Sequence, residues 1–166
     1  MNTNKLVLSH NSALLIIDVQ KGFDDPKWGK RNNIHAENNI SRLLEGWRKA
    51  KRPIFHVKND SVEINSPLRP GLSGNAIKEI VQPERDEPLI IKTVNSAFIG
   101  TDLEKRLRKA GIKEVVIVGL TTDHCISTTA RMAGNLGFNT YVVSDATATF
   151  DRKFQSKHYS AKMMHD

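Results

Sequence analysis

The sequence predicts an α/β fold of the doubly wound type: a parallel sheet covered by helices on both faces, in three α/β/α layers. Three observations predict it. Short continuous apolar runs of strand length recur along the chain, as parallel strands buried on both faces require. Stretches with helical periodicity lie between them. The two patterns alternate from one end to the other, which is the order of βαβ units. A length of 166 residues suits one domain, taken here as residues 1–166.

Each element is justified in turn. Ala13–Val19 (ALLIIDV) is an apolar run ended by polar residues and reads as the first strand. Asn38–Lys51 carries Ile40, Leu43, Leu44 and Trp47 at helical spacing, so it reads as an amphipathic helix. Pro53–Lys58 is a short second strand. Asp60–Pro88 holds four prolines and two glycines and reads as loop, with one helical turn around Ala76–Ile80. Leu89–Lys92 is the third strand. Thr101–Ala110 is a helix with Thr101 as N-cap and Glu104 at the capping-box position, and Gly111 stops it. Val115–Leu120 is the fourth strand, Asp123–Leu136 a helix closed by Gly137, and Thr140–Ser144 the fifth strand. From His158 onward the chain reads as the start of another helix.

Composition narrows the function classes. The formal charge is +7 and the isoelectric point near 9.6. Nucleic acid is an unsuitable partner all the same. The cations gather at the ends of helices (Arg48, Lys49, Lys51, Arg52; Lys105, Arg106, Arg108, Lys109), where they complement the helix dipole, and no basic stretch carries interleaved aromatics. No apolar run approaches the roughly 20 residues of a membrane span. The opening MNTNKLVLSH lacks the basic-then-apolar order of a secretory signal. The single cysteine excludes an internal disulfide framework. These features point to the cytoplasm.

In open parallel sheets, ligands bind beyond the carboxyl ends of the strands. Asp18 lies at the end of strand one, His56 and Lys58 near the end of strand two, Lys92 at the end of strand three and Asp145 at the end of strand five. Thr121 to Cys125 follow strand four. A thiol at the first turn of a helix, near an ammonium such as Lys92, is expected to have its pKa lowered. Its thiolate would attack a carbonyl carbon. Asp18 could take the thiol proton and later return it to a leaving group. Free backbone N–H groups at the helix start could hold an oxyanion. Each residue also has a plain structural reading. A lone cysteine is usually a small buried apolar side chain, a lysine ending a strand is usually solvated, and an aspartate after an apolar run is often a cap or turn residue.

His124 adjoins Cys125, but consecutive helical residues point about 100° apart, so it reads as a pocket-lining residue rather than half of a dyad. His10, His35, His56, His158 and His165 show no metal-ligand spacing, so neither a metal nor a cofactor is expected.

The segments ALLIIDVQKGF, IIKTVNSAF followed by GT-x-L, VVIVGLTTDHCISTTARMAGNLGF and VVSDATATF, in that order from about residue 11, resemble the isochorismatase-like cysteine hydrolases. The resemblance implies a doubly wound fold, homo-oligomers, a small-molecule substrate, and amide C–N hydrolysis through a thioester. By position, Asp18 matches the family's acid/base, Lys92 its lysine and Cys125 its nucleophile. It also implies a cis Leu120–Thr121 peptide that aims the backbone N–H groups of Thr121 and Cys125 at one oxyanion. Gln20 and Phe23 match positions flanking the pocket, and Phe98, His124 and Phe150 are expected walls. Two departures stand out. The nicotinamidase branch carries a D-x-H plus His metal site after strand two, where this chain reads VKNDSVEINSP. Related chains also continue past HYSAKMMHD through a last helix and a sixth strand, so the domain is expected to be C-terminally incomplete and to lack that edge strand.

Three functions follow. The leading one is a small-amide or carbamoyl hydrolase. The alternative is an isochorismatase-type vinyl ether hydrolase in which Asp18 protonates the substrate and the cysteine is dispensable. The third is a non-catalytic binding module.

Overall fold

The computed structural model describes residues 6–166. Five strands form one parallel sheet: β1 (Ala13–Ile17), β2 (Ile54–Asn59), β3 (Leu89–Lys92), β4 (Glu114–Leu120) and β5 (Asn139–Ala148), in the order β3-β2-β1-β4-β5. The central strand β1 pairs Leu14–Ile17 with Ile54–Val57 on one side and Ala13–Ile17 with Val115–Gly119 on the other. Every residue of β1 is buried, which explains an apolar run without alternation.

Alternate β1 residues feed two cores. Leu14 and Ile16 pack with Ile40, Leu44 and Trp47 of α1 (Ala36–Lys49). Ala13, Leu15 and Ile17 pack with Leu103 and Leu107 of α2 (Leu103–Lys109) and Ala133 of α3 (Ser127–Asn135). One helix therefore covers one face and two cover the other. Burying each of these large side chains contributes roughly 1.5–3 kcal/mol.

Several elements differ from the sequence expectations. β5 runs five residues past Thr140–Ser144 at one end or the other, because it bulges. Its pairing with β4 jumps from Ile117↔Val142 to Gly119↔Thr147. Asp145 therefore sits inside the bulge rather than at a strand end. Asparagine side chains satisfy the bulged carbonyls: Asn33 Nδ2 donates to Ser144 O (2.8 Å) and Thr147 O (2.7 Å), and Asn39 Nδ2 donates to Asp145 O (2.8 Å). The expected helix over Asp123–Leu136 is a wide π-helical turn, Thr122–Ile126, followed by α3. The helix expected from His158 is instead a hairpin, β6 (Arg152–Phe154) with β7 (Lys157–Tyr159), and then a short α4 (Ala161–His165). Around Ala76–Ile80 the loop makes two short 3-10 turns, Ser73–Asn75 and Glu79–Val81. At α2 the N-cap position is Asp102, not Thr101. Thr101 Oγ1 donates to Ala97 O (2.6 Å), and Glu104 pairs with Arg108 (2.7 Å) instead of closing a capping box.

The basic helix ends carry acidic partners. Arg48 meets Glu87 at 2.7 Å and Arg106 meets Asp102 at 2.8 Å. Among the described residues no helix is long and apolar enough to cross a membrane.

At Gly119 the backbone of β4 has no room for a side chain against β1. Its φ is +126°, and a β-carbon there would lie 1.9 Å from the carbonyl oxygen of Ile17. No other residue fits without moving β1, the strand that leads into Asp18. Gly119→Ala is therefore expected to destabilise the fold by roughly 3 kcal/mol or more, read as a lowered midpoint of urea denaturation.

Candidate active site

Asp18 follows β1 with φ +53°, a left-handed conformation that aspartate tolerates better than most residues. Strict alternation would send its side chain to the α1 face, opposite Ile17. The left-handed turn breaks that alternation, and the carboxylate meets groups on the α2/α3 side. The backbone is held there: Asp18 N donates to Val57 O (2.9 Å), and Asp18 O accepts from Gln20 N (2.8 Å).

Lys92 ends β3 two residues after Ile90, which belongs to the α2/α3 core. Its ammonium stem spans the width of β2 to reach Asp18. Cys125 belongs to the same core and lies in the π-helical turn after β4. That turn folds under the carbonyl of Thr121, which accepts from both His124 N and Ile126 N at 3.2 Å. Thr121 is buried, and the Leu120–Thr121 peptide is cis.

Lys92 Nζ donates to Asp18 Oδ2 at 2.7 Å and to Cys125 Sγ at 3.4 Å. The ion pair has 0% side-chain exposure on both partners. Three residues separated by 74 and 33 positions thus form one contiguous cluster. Asp18 Oδ1 is buried without a hydrogen-bond partner. Asn95, three residues beyond Lys92, brings Oδ1 to 3.7 Å from the sulfur, within range of the S–H. Sequence reasoning missed Asn95, although its place just past the carboxyl end of β3 was a usable signal.

The electrostatics correct the expectation of a lowered thiol pKa. Burial and the Asp18 carboxylate together push the Cys125 thiol up to about 12, against the opposing pull of the Lys92 ammonium. Burial likewise raises Asp18 above its ordinary value, against the attraction and hydrogen bond of Lys92. The resting sulfur is therefore a thiol beside a carboxyl group that holds a proton more readily than usual. Such a cluster can move a proton from sulfur to carboxylate when an electrophile arrives, and return it afterwards.

The expected pocket residues divide. Gln20 lines no open wall. It is wholly buried, its Oε1 accepts from Asn59 N (2.9 Å), and its Nε2 donates to Asn59 O (3.0 Å) and Asn75 O (2.9 Å). Phe98 is half-buried against the α2/α3 core and stacks on Phe138 at 6.1 Å. Phe23 and Phe150 are buried with Trp28, ring centroids 5.3–6.2 Å apart, in a small core that also contains Leu120. Through Leu120 that core ends one residue before Thr121. His124 has an exposed side chain 3.7 Å from the Asp123 carboxylate. Asp123 is itself fixed by Thr149 Oγ1 (2.5 Å) and Arg152 Nε (3.0 Å). Among the described residues no three His, Cys, Asp or Glu side chains are grouped to hold a metal ion.

Comparison with known proteins bears on this geometry. A family model described as an isochorismatase domain matches residues 12–165. The isochorismatase family protein YrdC of Bacillus subtilis is 51% identical over 160 residues, covering 96% of this chain and 86% of that protein. Nicotinamidase 3 of Arabidopsis thaliana is 32% identical, covering 86% of this chain and 75% of that protein. Among solved structures, a putative hydrolase of the same family from Chromobacterium violaceum superimposes with a TM-score of 0.93 at 43% identity, covering 99% of this chain and 86% of that one.

The charge arrangement makes a testable statement about the sulfur. Alkylation of Cys125 by iodoacetamide should keep accelerating through pH 8.5 with no plateau near neutrality, because the thiol ionises far above its usual range. Asp18→Asn removes a carboxylate that raises the thiol pKa and leaves Lys92 in contact. Alkylation at pH 8 should therefore speed up by about tenfold or more. A slower reaction in that variant, measured below its own unfolding transition, would contradict the assignment of signs.

Proposed function

The chain belongs to the isochorismatase family, and from that premise we propose that it hydrolyses the C–N bond of a small amide or carbamoyl compound through a thioester on Cys125. Family members are hydrolases, and nicotinamidase 3 is named for an amide. The observation that carries the proposal is the sulfur 3.4 Å from an ammonium that is itself 2.7 Å from a buried carboxylate. A nucleophile, a proton acceptor and a cation in contact are the parts that acyl transfer to water needs.

The steps balance as follows. Sγ bonds to the substrate carbonyl carbon while its proton passes to Asp18. Backbone N–H groups of Thr121 and Cys125 receive the oxyanion. The C–N bond breaks, Asp18 gives its proton to the nitrogen, and the amine or ammonia leaves an acyl thioester on Cys125. Water then attacks the thioester carbon. Asp18 takes the water's proton and returns it to sulfur as the C–S bond breaks. Lys92 holds the negative charge on whichever of the two groups carries it.

The segment after β2, VKNDSVEINSP, carries no histidine, and this supports an amide other than nicotinamide. One observation favours a second reading. A carboxyl group with a raised pKa would also serve to protonate a vinyl ether. In that reaction, however, the sulfur beside Lys92 has no task.

Replacing Cys125 by Ala should lower turnover of the best substrate in a panel of small amides by about three orders of magnitude or more, with the melting temperature kept. Intact mass after rapid quenching should show the wild-type chain, and not the variant, carrying the acyl group. An alanine variant that retains full amide turnover would end the covalent proposal.

A further inference from the structure

Two oxygen atoms at the carboxyl edge of the sheet are buried without a hydrogen-bond donor: Asp18 Oδ1 and Asn59 Oδ1. Buried oxygens are nearly always paired, so two orphans at one edge need a reason.

Asn59 is the last residue of β2, and its register partner on β3 is Lys92. Phe55 and Val57, four and two residues earlier on the same strand, belong to the core that holds Ile90 and Cys125. Alternation therefore puts Asn59 and Lys92 on one face, on strands about 4.8 Å apart. Asn59 stands beside the cluster of Asp18, Lys92 and Cys125, yet contacts none of its ionisable groups by hydrogen bond.

The position of Asn59 is held by an unusual device. β1 turns away at Asp18, so the backbone N–H and C=O that Asn59 presents on that side have no strand to pair with. Gln20 replaces the missing strand. Its carboxamide accepts from Asn59 N (2.9 Å) and donates to Asn59 O (3.0 Å), and Asn75 Nδ2 adds a second donor to that carbonyl at 3.3 Å. A wholly buried glutamine, anchored in turn on Asn75 O at 2.9 Å, thus fixes where the Asn59 side chain begins.

We propose that Asn59 is a specificity-determining residue whose Oδ1, together with Asp18 Oδ1, accepts the two N–H bonds of an unsubstituted NH2 group on the substrate. This deepens the amide reading above and rests on it. A primary carboxamide or a terminal carbamoyl group carries two N–H donors on the nitrogen that leaves, and the site offers two oxygens without donors. An ester of the same acid offers neither donor, and an N,N-dialkyl amide replaces both by carbon. A site whose buried acceptors await donors discriminates against analogues that lack them.

The test delivers one acyl group in three forms, as primary amide, N,N-dimethyl amide and methyl ester, to the full chain and to Asn59→Ala. Wild type should prefer the primary amide over the dimethyl amide. The variant should lose about tenfold or more in kcat/KM for the primary amide, carried mainly by KM, while ester hydrolysis stays within about twofold and the melting temperature holds. Equal losses on amide and ester would mean a general structural role and overturn the proposal, as would no loss on either. Wild-type turnover of the ester with none of the primary amide would instead sink the amide reading itself, and this assignment with it.

Discussion

The buried contact between the Lys92 ammonium and the Asp18 carboxylate is the constraint around which this molecule is arranged. Both side chains are fully withdrawn from solvent. Removing two charges from water carries a penalty of several kcal/mol per ion, which mutual attraction offsets only at good geometry. The 2.7 Å separation provides that geometry. It also ties the ends of β1 and β3, which are not sheet neighbours, across β2. Either partner alone would leave an uncompensated buried charge, and losing one from such a pair typically costs about 3–5 kcal/mol. Cys125 joins this contact through sulfur and is the only uncharged member.

The fold meets the demand by departures from regular structure near the pair. β1 is five residues long and stops where Asp18 takes a left-handed turn. β4 runs against it through Gly119, whose missing side chain lets the two backbones approach. Past the end of β1, Gln20 supplies the hydrogen bonds a longer strand would have made. Opposite Gly119, β5 bulges, and two asparagines satisfy the carbonyls it exposes. Each departure moves a side chain or frees a backbone group at the carboxyl edge. The amino-terminal halves of the same strands stay in regular register.

What the sequence revealed follows from this division. Buried parallel strands leave a strong trace, an apolar run with a polar residue at its end, so the five strands and the positions of Asp18, Lys92 and Cys125 at their ends were legible. Helix α1 was legible because four apolar residues keep helical spacing. The bulge in β5 was not, since its polar residues look like a strand that has ended. The hairpin of β6 and β7 was missed because its short strands are mostly polar and carry no period. Gln20 was noticed but misassigned: nothing in its neighbours shows that β1 stops short and needs a substitute partner. The thiol pKa was misjudged for a different reason. A helix start and a nearby lysine are visible in sequence, whereas burial and the proximity of Asp18 to sulfur exist only in three dimensions, and these outweigh the lysine.

That reversal bears on how a dry site could run ionic chemistry. A free thiolate beside Asp18 would put two anions next to one cation at a place withdrawn from bulk solvent. Keeping sulfur protonated leaves one anion and one cation, already paired. When the proton moves from Sγ to the carboxylate, the negative charge moves in the opposite sense, and Lys92 touches both groups before the transfer begins. The ammonium stays paired throughout, and the net charge of the cluster does not change. What remains unfavourable is the difference in proton affinity between the two groups, both of which burial raises. Bond formation to an electrophilic carbon would supply that difference, since it removes the charge from sulfur as the charge arises. A nucleophile that ionises only in the act of attack would stay inert until its substrate is in place, and the neutral resting state of Cys125 would serve the proposed reaction in that way.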